Sequence, residues 1–358
     1  MFCCKTKILS GAGSVKYLQQ LGAQRLLLVS DPYFSQNGTA DELIRLSGAA
    51  GHMLFDKIQP DPSVELVAEG TALVRQFQPD TVVALGGGSA IDCAKAMVYF
   101  SGQAPTFIAI PTTSGSGSEV TDFAILTHGN VKHPLVDEKI RPAVAILDSD
   151  LLKNLPRSLI ADTGFDVLCH ALEAFVGRKA DAISGALAKE AFCIAYASLP
   201  ASFGGELSVR GRIHEASTMA GLAFTHAGLG LCHAIAHSLG GAFHLPHGRL
   251  NAILLPAVID CNAHACGSRY AALARAAGFP GAADTMAIRN LKNGLVRLRR
   301  ELGMPQTLKE AGVDPREVRF REAELIKTVL EDPCCETNPL PVEDFMVRKI
   351  LEEVTGRG

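Results

Sequence analysis

Histidine and aspartate residues that could bind a metal ion occur at helical spacing in the second half of the chain. Asp166 and His170 are four residues apart in a segment of helical pattern, so they lie on one helix face. Neutral imidazoles with one carboxylate suit Zn²⁺, Fe²⁺ and similar divalent ions. The sequence therefore predicts a divalent-metal site that includes this pair. Spacing alone leaves open which of the later histidines are ligands: His233, His237, His244 or His247.

These later histidines fall in two short motifs. His233 and His237 repeat the four-residue spacing in GLCHAIAHSLGG, which has a helical pattern. His244 and His247 lie in HLPHG, where Pro246 and the glycine that follows the second histidine favour a loop. The candidates for the remaining ligands therefore lie on a predicted helix and on a predicted loop, and the spacing does not choose between them.

Three neighbours of the candidate ligands have alternative interpretations. Glu173, one turn after His170, has the spacing to orient a ligand, but we favour a solvated helix position for it. Cys169 and Cys232 each precede a candidate ligand. We interpret both thiols as small buried apolar side chains rather than as oxidation-sensitive groups.

Two loops rich in glycine and hydroxyl side chains follow predicted strands in the first half. In GGGSAIDCAK (86–95), glycines let the backbone approach a phosphate, and the helix that follows offers free N–H groups. PTTSGSGSEVT (111–121) has a composition suited to wrapping a polar ligand. Each loop alone could be a plain turn or a solvated loop. Together, at the carboxyl ends of neighbouring strands, they favour a nucleotide site.

Asp31 ends a predicted strand and has a bearing on which nucleotide binds. A carboxylate at this point can accept hydrogen bonds from an adenosine ribose and disfavours a 2′-phosphate, which favours NAD over NADP. Asp31 could equally be a helix N-cap before Pro32.

The elements that must position these residues are predicted from apolar runs. Continuous apolar strands between helices indicate a parallel sheet covered on both faces. The predicted strands are 25–31, 81–88, 106–113 and 143–148, with a helix at 89–100. Ala-rich helical patterns then occupy 159–177, 182–199 and 212–224. We predict an α/β domain over residues 1–153 and an all-helical domain over 154–358.

Composition excludes several classes of protein. The net charge of -3 over 358 residues gives no reason to expect nucleic acid or an anionic membrane as partner. Ten cysteines without a CxxC motif indicate reduced thiols rather than a disulfide framework or a zinc ribbon. The N-terminus lacks a signal peptide pattern, and no apolar run approaches the roughly 20 residues needed to span a bilayer. A cytoplasmic location is therefore expected.

Several motifs in this order resemble the iron-containing (group III) alcohol dehydrogenase family. The matching stretches are GGGSAIDCAK, AIPTTSGSGSEVT, LIADTGFDVLCHALEA, GLGLCHAIAHSLGGAFHLPHG and TNP at 337–339. The resemblance covers nearly the whole chain. It implies a Rossmann-like N-terminal domain, an all-helical C-terminal domain and an active site in the cleft between them, as in the dehydroquinate synthase-like fold.

The resemblance also assigns roles to residues. It implies that the metal ligands are Asp166, His170, His233 and His247, and that His237 lies beside the substrate. The cofactor residues that it implies, together with those expected from the loops, are Asp31, Gly87, Gly88, Ser89, Asp92, Thr112, Thr113, Thr121 and Lys132. The expected cofactors are NAD(H) and Fe²⁺, with Zn²⁺ as the alternative ion.

The implied reaction is hydride transfer between a short-chain primary alcohol and NAD, with His237 relaying the proton. HEASTMAGLAF and CHAIAHSLGG are most similar to the 1-propanol dehydrogenases of propanediol-degrading microcompartments, where aldehyde reduction is the expected net direction. A homodimer, and possible encapsulation with microcompartment components, are expected on the same basis. The alternatives are a glycerol or 1,3-propanediol dehydrogenase and, less favoured because the metal half lacks a basic cluster, a non-redox dehydroquinate synthase-like enzyme.

Overall fold

The computed structural model of the chain describes residues 2–129 and 131–356, which divide into two compact units. The first unit is Cys3–Leu155, and the second is Pro156–Gly358 together with Phe2. The division falls between Leu155 and Pro156, whereas the sequence predicts it between residues 153 and 154.

Parallel strands form the centre of the first unit. The strands are β1 (Lys7–Ser10), β2 (Arg25–Ser30), β3 (Gly51–Phe55), β4 (Thr81–Gly86), β5 (Thr106–Pro111), β6 (Phe123–His128), β7 (Val131–Val136) and β8 (Val144–Leu147). Six of these form a parallel sheet in the order β1-β8-β5-β4-β2-β3, and β6 and β7 form an antiparallel pair. Since Ser30 pairs with Leu85, and Gly86 pairs with Pro111, the carboxyl ends of β2, β4 and β5 are adjacent.

Helices cover both faces of this sheet. They are α1 (Pro32–Gln36), α2 (Thr39–Ser47), α3 (Val64–Phe77) and α4 (Gly88–Ser101). Leu27 and Val29 of β2 belong to the buried cluster that includes residues of α3 and α4. Leu26 and Leu28 belong to the opposite cluster, with residues of α2. Because side chains alternate between two buried faces, β2 is apolar throughout rather than in alternation, as the sequence predicts.

The described residues of the second unit form helices joined by turns and loops, with no strand. Its helices are α5 (Arg157–Val176), α6 (Ala182–Gly204), α7 (Arg210–Ala227), α8 (Leu231–Phe243), α9 (His247–Ala276), α10 (Asp284–Glu301), α11 (Pro315–Phe320), α12 (Glu322–Leu330) and α13 (Asp344–Thr355). Helix α5 packs against α6, α7 and α9, and is therefore central. The predicted α/β domain followed by an all-helical domain is confirmed.

Helix α6 is long and apolar enough, by length and composition alone, to cross a membrane. It packs along both α5 and α7. We attribute its apolar composition to this packing, because a core helix contacted on several sides is apolar over most of its surface.

A buried arginine compensates for the proline within α9. Pro256 has no N–H group, so the carbonyl of Ala252, four residues earlier, lacks its helical donor. Arg299 of α10 donates from Nη1 to the carbonyls of Ala252 (2.7 Å) and Ile253 (3.1 Å). Burial lowers the pKa of Arg299 to about 10. These two bonds join α10 to the half of α9 that carries His247.

Candidate metal centre

One carboxylate oxygen lies at the centre of the histidine cluster. Asp166 is buried in the middle of α5, and its Oδ1 lies 3.9 Å from His170 Nε2, 3.8 Å from His233 Nε2 and 3.7 Å from His247 Nε2. The donor atoms of Asp166, His233 and His247 all lie within 4.8 Å of one another. The ring of His170 stacks on that of His233, with centroids 4.5 Å apart. The structure thus brings together Asp166, His233 and His247, and it places His170 Nε2 3.9 Å from the same carboxylate oxygen.

The geometry of this cluster fits a divalent cation. With metal–ligand bonds of about 2.1 Å in tetrahedral arrangement, neighbouring ligand atoms lie roughly 3.4 Å apart. The three carboxylate-to-imidazole distances, between 3.7 and 3.9 Å, exceed this spacing by a few tenths of an ångström. All three imidazoles present the same atom, Nε2, to the same oxygen. One carboxylate and three imidazoles suit iron and zinc alike.

The electrostatics of the cluster also suit a cation. Burial alone would raise the pKa of Asp166, but His170, His233 and His247 outweigh it and hold that pKa well below its usual range. Burial lowers the pKa of His247, so this imidazole is neutral and can donate its lone pair. Burial also acts to lower the pKa of His233, but hydrogen bonds to Asp166 and Glu173 raise it to about 10. Metal binding at His233 must therefore release a proton.

Glu173 corrects the sequence-based interpretation of a solvated position. It is 3 % exposed, and its Oε2 lies 2.6 Å from His233 Nδ1. The same carboxylate accepts hydrogen bonds from the backbone N–H groups of Gly230 (2.9 Å) and Cys232 (2.7 Å), at the start of α8. Glu173 therefore caps α8 and orients His233, because a proton on Nδ1 leaves the Nε2 lone pair directed at the cluster.

Glu173→Gln should weaken metal binding by about 10- to 100-fold, the usual cost of removing a carboxylate that orients a metal-bound imidazole. The amide cannot accept hydrogen bonds from both backbone N–H groups and His233 without turning its NH₂ group towards a donor. Competition with a chromophoric chelator measures the dissociation constant. Glu190→Gln, at an exposed position of α6, is the matched control. Equal metal affinity in the two variants would show that Glu173 only caps the helix.

Helices α5 and α9 approach closely at the start of α9, which places His247. Arg249 donates from Nε and Nη2 to the two carboxylate oxygens of Asp162, one turn before Asp166 (3.2 and 2.9 Å). A Cβ atom on Gly248 would lie 1.9 Å from the carbonyl oxygen of Asp162. Only glycine allows this approach. The sequence predicts a loop over the whole HLPHG stretch. In the structure the loop ends at Pro246, because α9 begins at His247.

Asn251 is a buried residue of the centre that sequence reasoning missed. Its Nδ2 donates to Asp166 Oδ1 (2.8 Å) and lies 3.3 Å from His233 Nε2. Asn251 is four residues after His247 on α9, so the available signal was a polar side chain at helical spacing from a ligand. It fixes the orientation of the Asp166 carboxylate.

His237 lies beside the cluster. Its ring stacks on that of His247, with centroids 5.2 Å apart, and its Nδ1 lies 2.8 Å from Asp332 Oδ2. Burial acts to raise the pKa of Asp332, but the hydrogen bond and charge of His237 outweigh it and lower that pKa. His244 is an exposed residue with a φ of 54° at the end of α8 and is not part of the cluster.

The two thiols beside the candidate ligands are buried. Cys169 Sγ lies 3.7 Å from His233 Nδ1, and Cys232 Sγ lies 3.7 Å from the side-chain oxygen of Asn251. Burial raises the pKa of both thiols, so both stay protonated. They behave as the small buried side chains that the sequence predicts.

The predicted cofactor residues fall into two groups. The first lies at the adjacent carboxyl ends of β2, β4 and β5, where Asp31 caps α1 by accepting from the Tyr33 N–H (3.0 Å). Gly87 and Gly88 begin α4, and a Cβ on either would lie about 3 Å from the loop after β5, at 3.1 Å from Thr113 Oγ1 and 3.0 Å from Ser116. This group contains Asp31, Gly87, Gly88, Ser89, Thr112 and Thr113.

In the second group, which is Asp92, Thr121 and Lys132, the first two take part in hydrogen bonds between α4 and the loop after β5. Asp92 accepts from Ser118 Oγ (2.5 Å) and from the Ile125 N–H (3.0 Å). Thr121 Oγ1 accepts from Lys95 Nζ (3.0 Å), and burial lowers the pKa of that lysine to about 8. Lys132 pairs with Asp61 (2.7 Å).

Comparison with known proteins identifies the family. Two models match the chain: "Iron-containing alcohol dehydrogenase" over residues 5–149, and "Fe-containing alcohol dehydrogenase family, C-terminal" over residues 160–355. The 1-propanol dehydrogenase PduQ of Salmonella typhimurium is 40% identical, covering 99% of both chains. The NADPH-dependent butanol dehydrogenase of Clostridium saccharobutylicum is 35% identical, covering 98% of this chain and 97% of the relative.

Among solved structures, the sulfoacetaldehyde reductase of Bifidobacterium kashiwanohense in complex with NAD⁺ has a TM-score of 0.90 at 27% identity, covering 100% of this chain and 99% of the other. The observed fold and the histidine cluster of the helical half are consistent with these matches, which together cover both halves of the chain. The chain belongs to the iron-containing alcohol dehydrogenase family and is an oxidoreductase.

Proposed function

We propose that this alcohol dehydrogenase interconverts a short-chain primary alcohol and its aldehyde, using NAD(H) and an iron ion held by Asp166, His170, His233 and His247. The observation that carries the proposal is the convergence of three imidazole Nε2 atoms on one buried carboxylate oxygen. A divalent cation bound there would act as a Lewis acid towards the alcohol or carbonyl oxygen.

The surroundings of the cluster favour a small uncharged substrate. The ring of Phe224 stacks on that of His170 at 4.6 Å, and the segments that carry the ligands are rich in alanine and leucine. Arg249, which follows His247 by two residues, already forms an ion pair with Asp162. A phosphorylated or carboxylated substrate, as a dehydroquinate synthase-like reaction requires, would need basic groups to bind it. Propanol and butanol, after which two relatives are named, fit this chemistry.

His237 is the proposed proton relay. Asp332 accepts a hydrogen bond from the N–H group at Nδ1 of His237. The Nε2 atom is therefore the one that can accept a proton during alcohol oxidation or return it during aldehyde reduction. Asp332 holds the ring in this tautomer.

His237→Asn should lower turnover by about 10²- to 10⁴-fold, the usual contribution of a general acid–base group, while metal content stays unchanged. Steady-state kinetics with propionaldehyde and elemental analysis of the same preparations test this. His264→Asn, at an exposed position of α9, is the control. Loss of the metal in the His237 variant would instead make His237 a ligand.

Substrate and cofactor are tested together on protein purified without oxygen and supplied with Fe²⁺. Oxidation of NADH by propionaldehyde should be faster than reduction of NAD by glycerol or 1,3-propanediol. No turnover of any aldehyde with metal restored would contradict the enzymatic assignment. Elemental analysis of the anaerobically purified protein distinguishes iron from zinc.

The preference for NAD over NADP rests on Asp31, whose carboxylate lies at the end of β2 beside Gly86. This carboxylate would repel the negatively charged 2′-phosphate on the ribose of NADP. One relative is named for NADPH, so both cofactors should be compared directly. Higher kcat/KM with NADPH would contradict the role of Asp31.

The location and assembly are further proposals. The resemblance to 1-propanol dehydrogenases supports a cytoplasmic homodimer that is encapsulated in a bacterial microcompartment. Light scattering of the purified protein measures the oligomeric state, and co-purification with shell proteins tests the encapsulation.

A further inference from the structure

A second set of metal-binding atoms lies next to the histidine cluster. One donor atom each from His237, Asp332 and Cys334 lies within 4.8 Å of the other two. His237 is on α8, and the other two residues lie at the start of the short 3₁₀ turn Pro333–Thr337. Asp332 Oδ1 accepts from the Cys334 N–H (2.8 Å), while Oδ2 faces His237 Nδ1 (2.8 Å). One carboxylate thus links the thiol-bearing turn to the imidazole.

We propose that His237, Asp332 and Cys334 form a second, inhibitory site for a thiophilic divalent cation such as Zn²⁺ or Cd²⁺. Thiolate, imidazole and carboxylate are all common zinc ligands, and three protein ligands leave the fourth position to water. The thiolate disfavours Mg²⁺ and Ca²⁺, which prefer oxygen ligands. The side chains of His237 and Asp332 are 26 % and 13 % exposed, so solvent reaches the set.

The second site uses atoms that the proposed catalytic centre leaves aside. The ligands around Asp166 all present Nε2, whereas His237 offers Nδ1 to the second set. A cation on Nδ1 replaces the hydrogen bond to Asp332 and displaces the thiol proton of Cys334 into solvent. The neutral imidazole then carries its single proton on Nε2. That atom is the proton acceptor of the proposed function, on which this inhibitory role rests, so occupancy should stop turnover without removing the catalytic metal.

Cys335 provides a matched control for the thiol. It is the adjacent residue in the same turn, and its Sγ donates to the carbonyl of Val329 (3.1 Å). Among the described residues, the second set consists of one atom each from His237, Asp332 and Cys334, so the sulfur of Cys335 does not belong to it. Serine at either position keeps a small polar side chain of similar size.

The test adds Cd²⁺ to the iron-loaded holoenzyme. Equilibrium dialysis with elemental analysis should show one equivalent of Cd²⁺ bound beyond the iron, with a thiolate-to-cadmium absorption band in the ultraviolet. Turnover at saturating Cd²⁺ should fall by about 10²- to 10⁴-fold, as expected for loss of the proton relay. Cys334→Ser should lose the extra equivalent, the absorption band and the inhibition, while Cys335→Ser keeps all three.

Each of three results would contradict one part of the proposal. Release of iron in step with cadmium uptake would mean that only the first centre binds the ion. An absorption band that persists in Cys334→Ser would place the thiolate elsewhere. Binding that leaves turnover unchanged would remove the inhibitory role. Because binding and absorption are measured without substrate, the second site can be established even if the proposed alcohol dehydrogenase activity fails.

Discussion

Asp166→Asn should abolish stable metal binding and lower turnover by roughly a thousandfold. The carboxylate is the only anionic member of the proposed ligand set, and its Oδ1 is shared by three imidazole Nε2 atoms. An asparagine keeps the shape but removes the charge. Lewis-acid stabilisation is worth several kcal/mol, and a loss of about 4 kcal/mol corresponds to roughly a thousandfold in rate. The amide would also leave the donor of Asn251 with a weaker acceptor.

Three measurements on the same preparation check this result. Elemental analysis reports bound iron, kinetics with propionaldehyde and NADH report turnover, and circular dichroism reports whether the helical unit has folded. Asp41→Asn, at an exposed position of α2, should retain metal and activity. Stoichiometric iron in the Asp166 variant would show that the metal lies elsewhere.

Gly248→Ala should destabilise the protein by about 3 kcal/mol or more and weaken metal binding at the same time. The added Cβ would lie 1.9 Å from the Asp162 carbonyl oxygen and 2.6 Å from its carbon, and neither backbone atom can move without moving α5. Overpacking a core costs about 1–3 kcal/mol when side chains absorb it, and more when they cannot. Displacing the start of α9 would carry His247 away from Asp166 and break the paired bonds between Arg249 and Asp162.

Chemical denaturation of the metal-free protein isolates the packing cost, and chelator competition on the folded protein isolates the effect on metal affinity. Gly204→Ala is the matched control, because a Cβ at Gly204 meets nothing within 4 Å. A Gly248 variant that unfolds at the same denaturant concentration as this control, with unchanged metal affinity, would refute the role of the close approach.

The sequence determined the layout of the fold and most of the candidate ligands. Continuous apolar runs predicted β4 and β5, because strands buried on both faces need no polar alternation. The four-residue spacing of Asp166 and His170 placed both on one face of α5, because a helix repeats every 3.6 residues. The family motifs then selected His233 and His247 from the later histidines. These inferences rest on local periodicity or on whole motifs, and neither requires knowledge of which helices touch.

Only the tertiary structure decided which polar side chains lie against the candidate ligands. Glu173 was expected in solvent, but α5 packs against α6, α7 and α9, so a helix position that would be exposed in isolation is buried. Asp332 lies 95 residues beyond His237, and no local pattern joins them. Glycine at position 248 follows from the distance between two helices rather than from a turn. In each case the contact joins elements distant in sequence, and their packing alone sets which groups are close enough to bond.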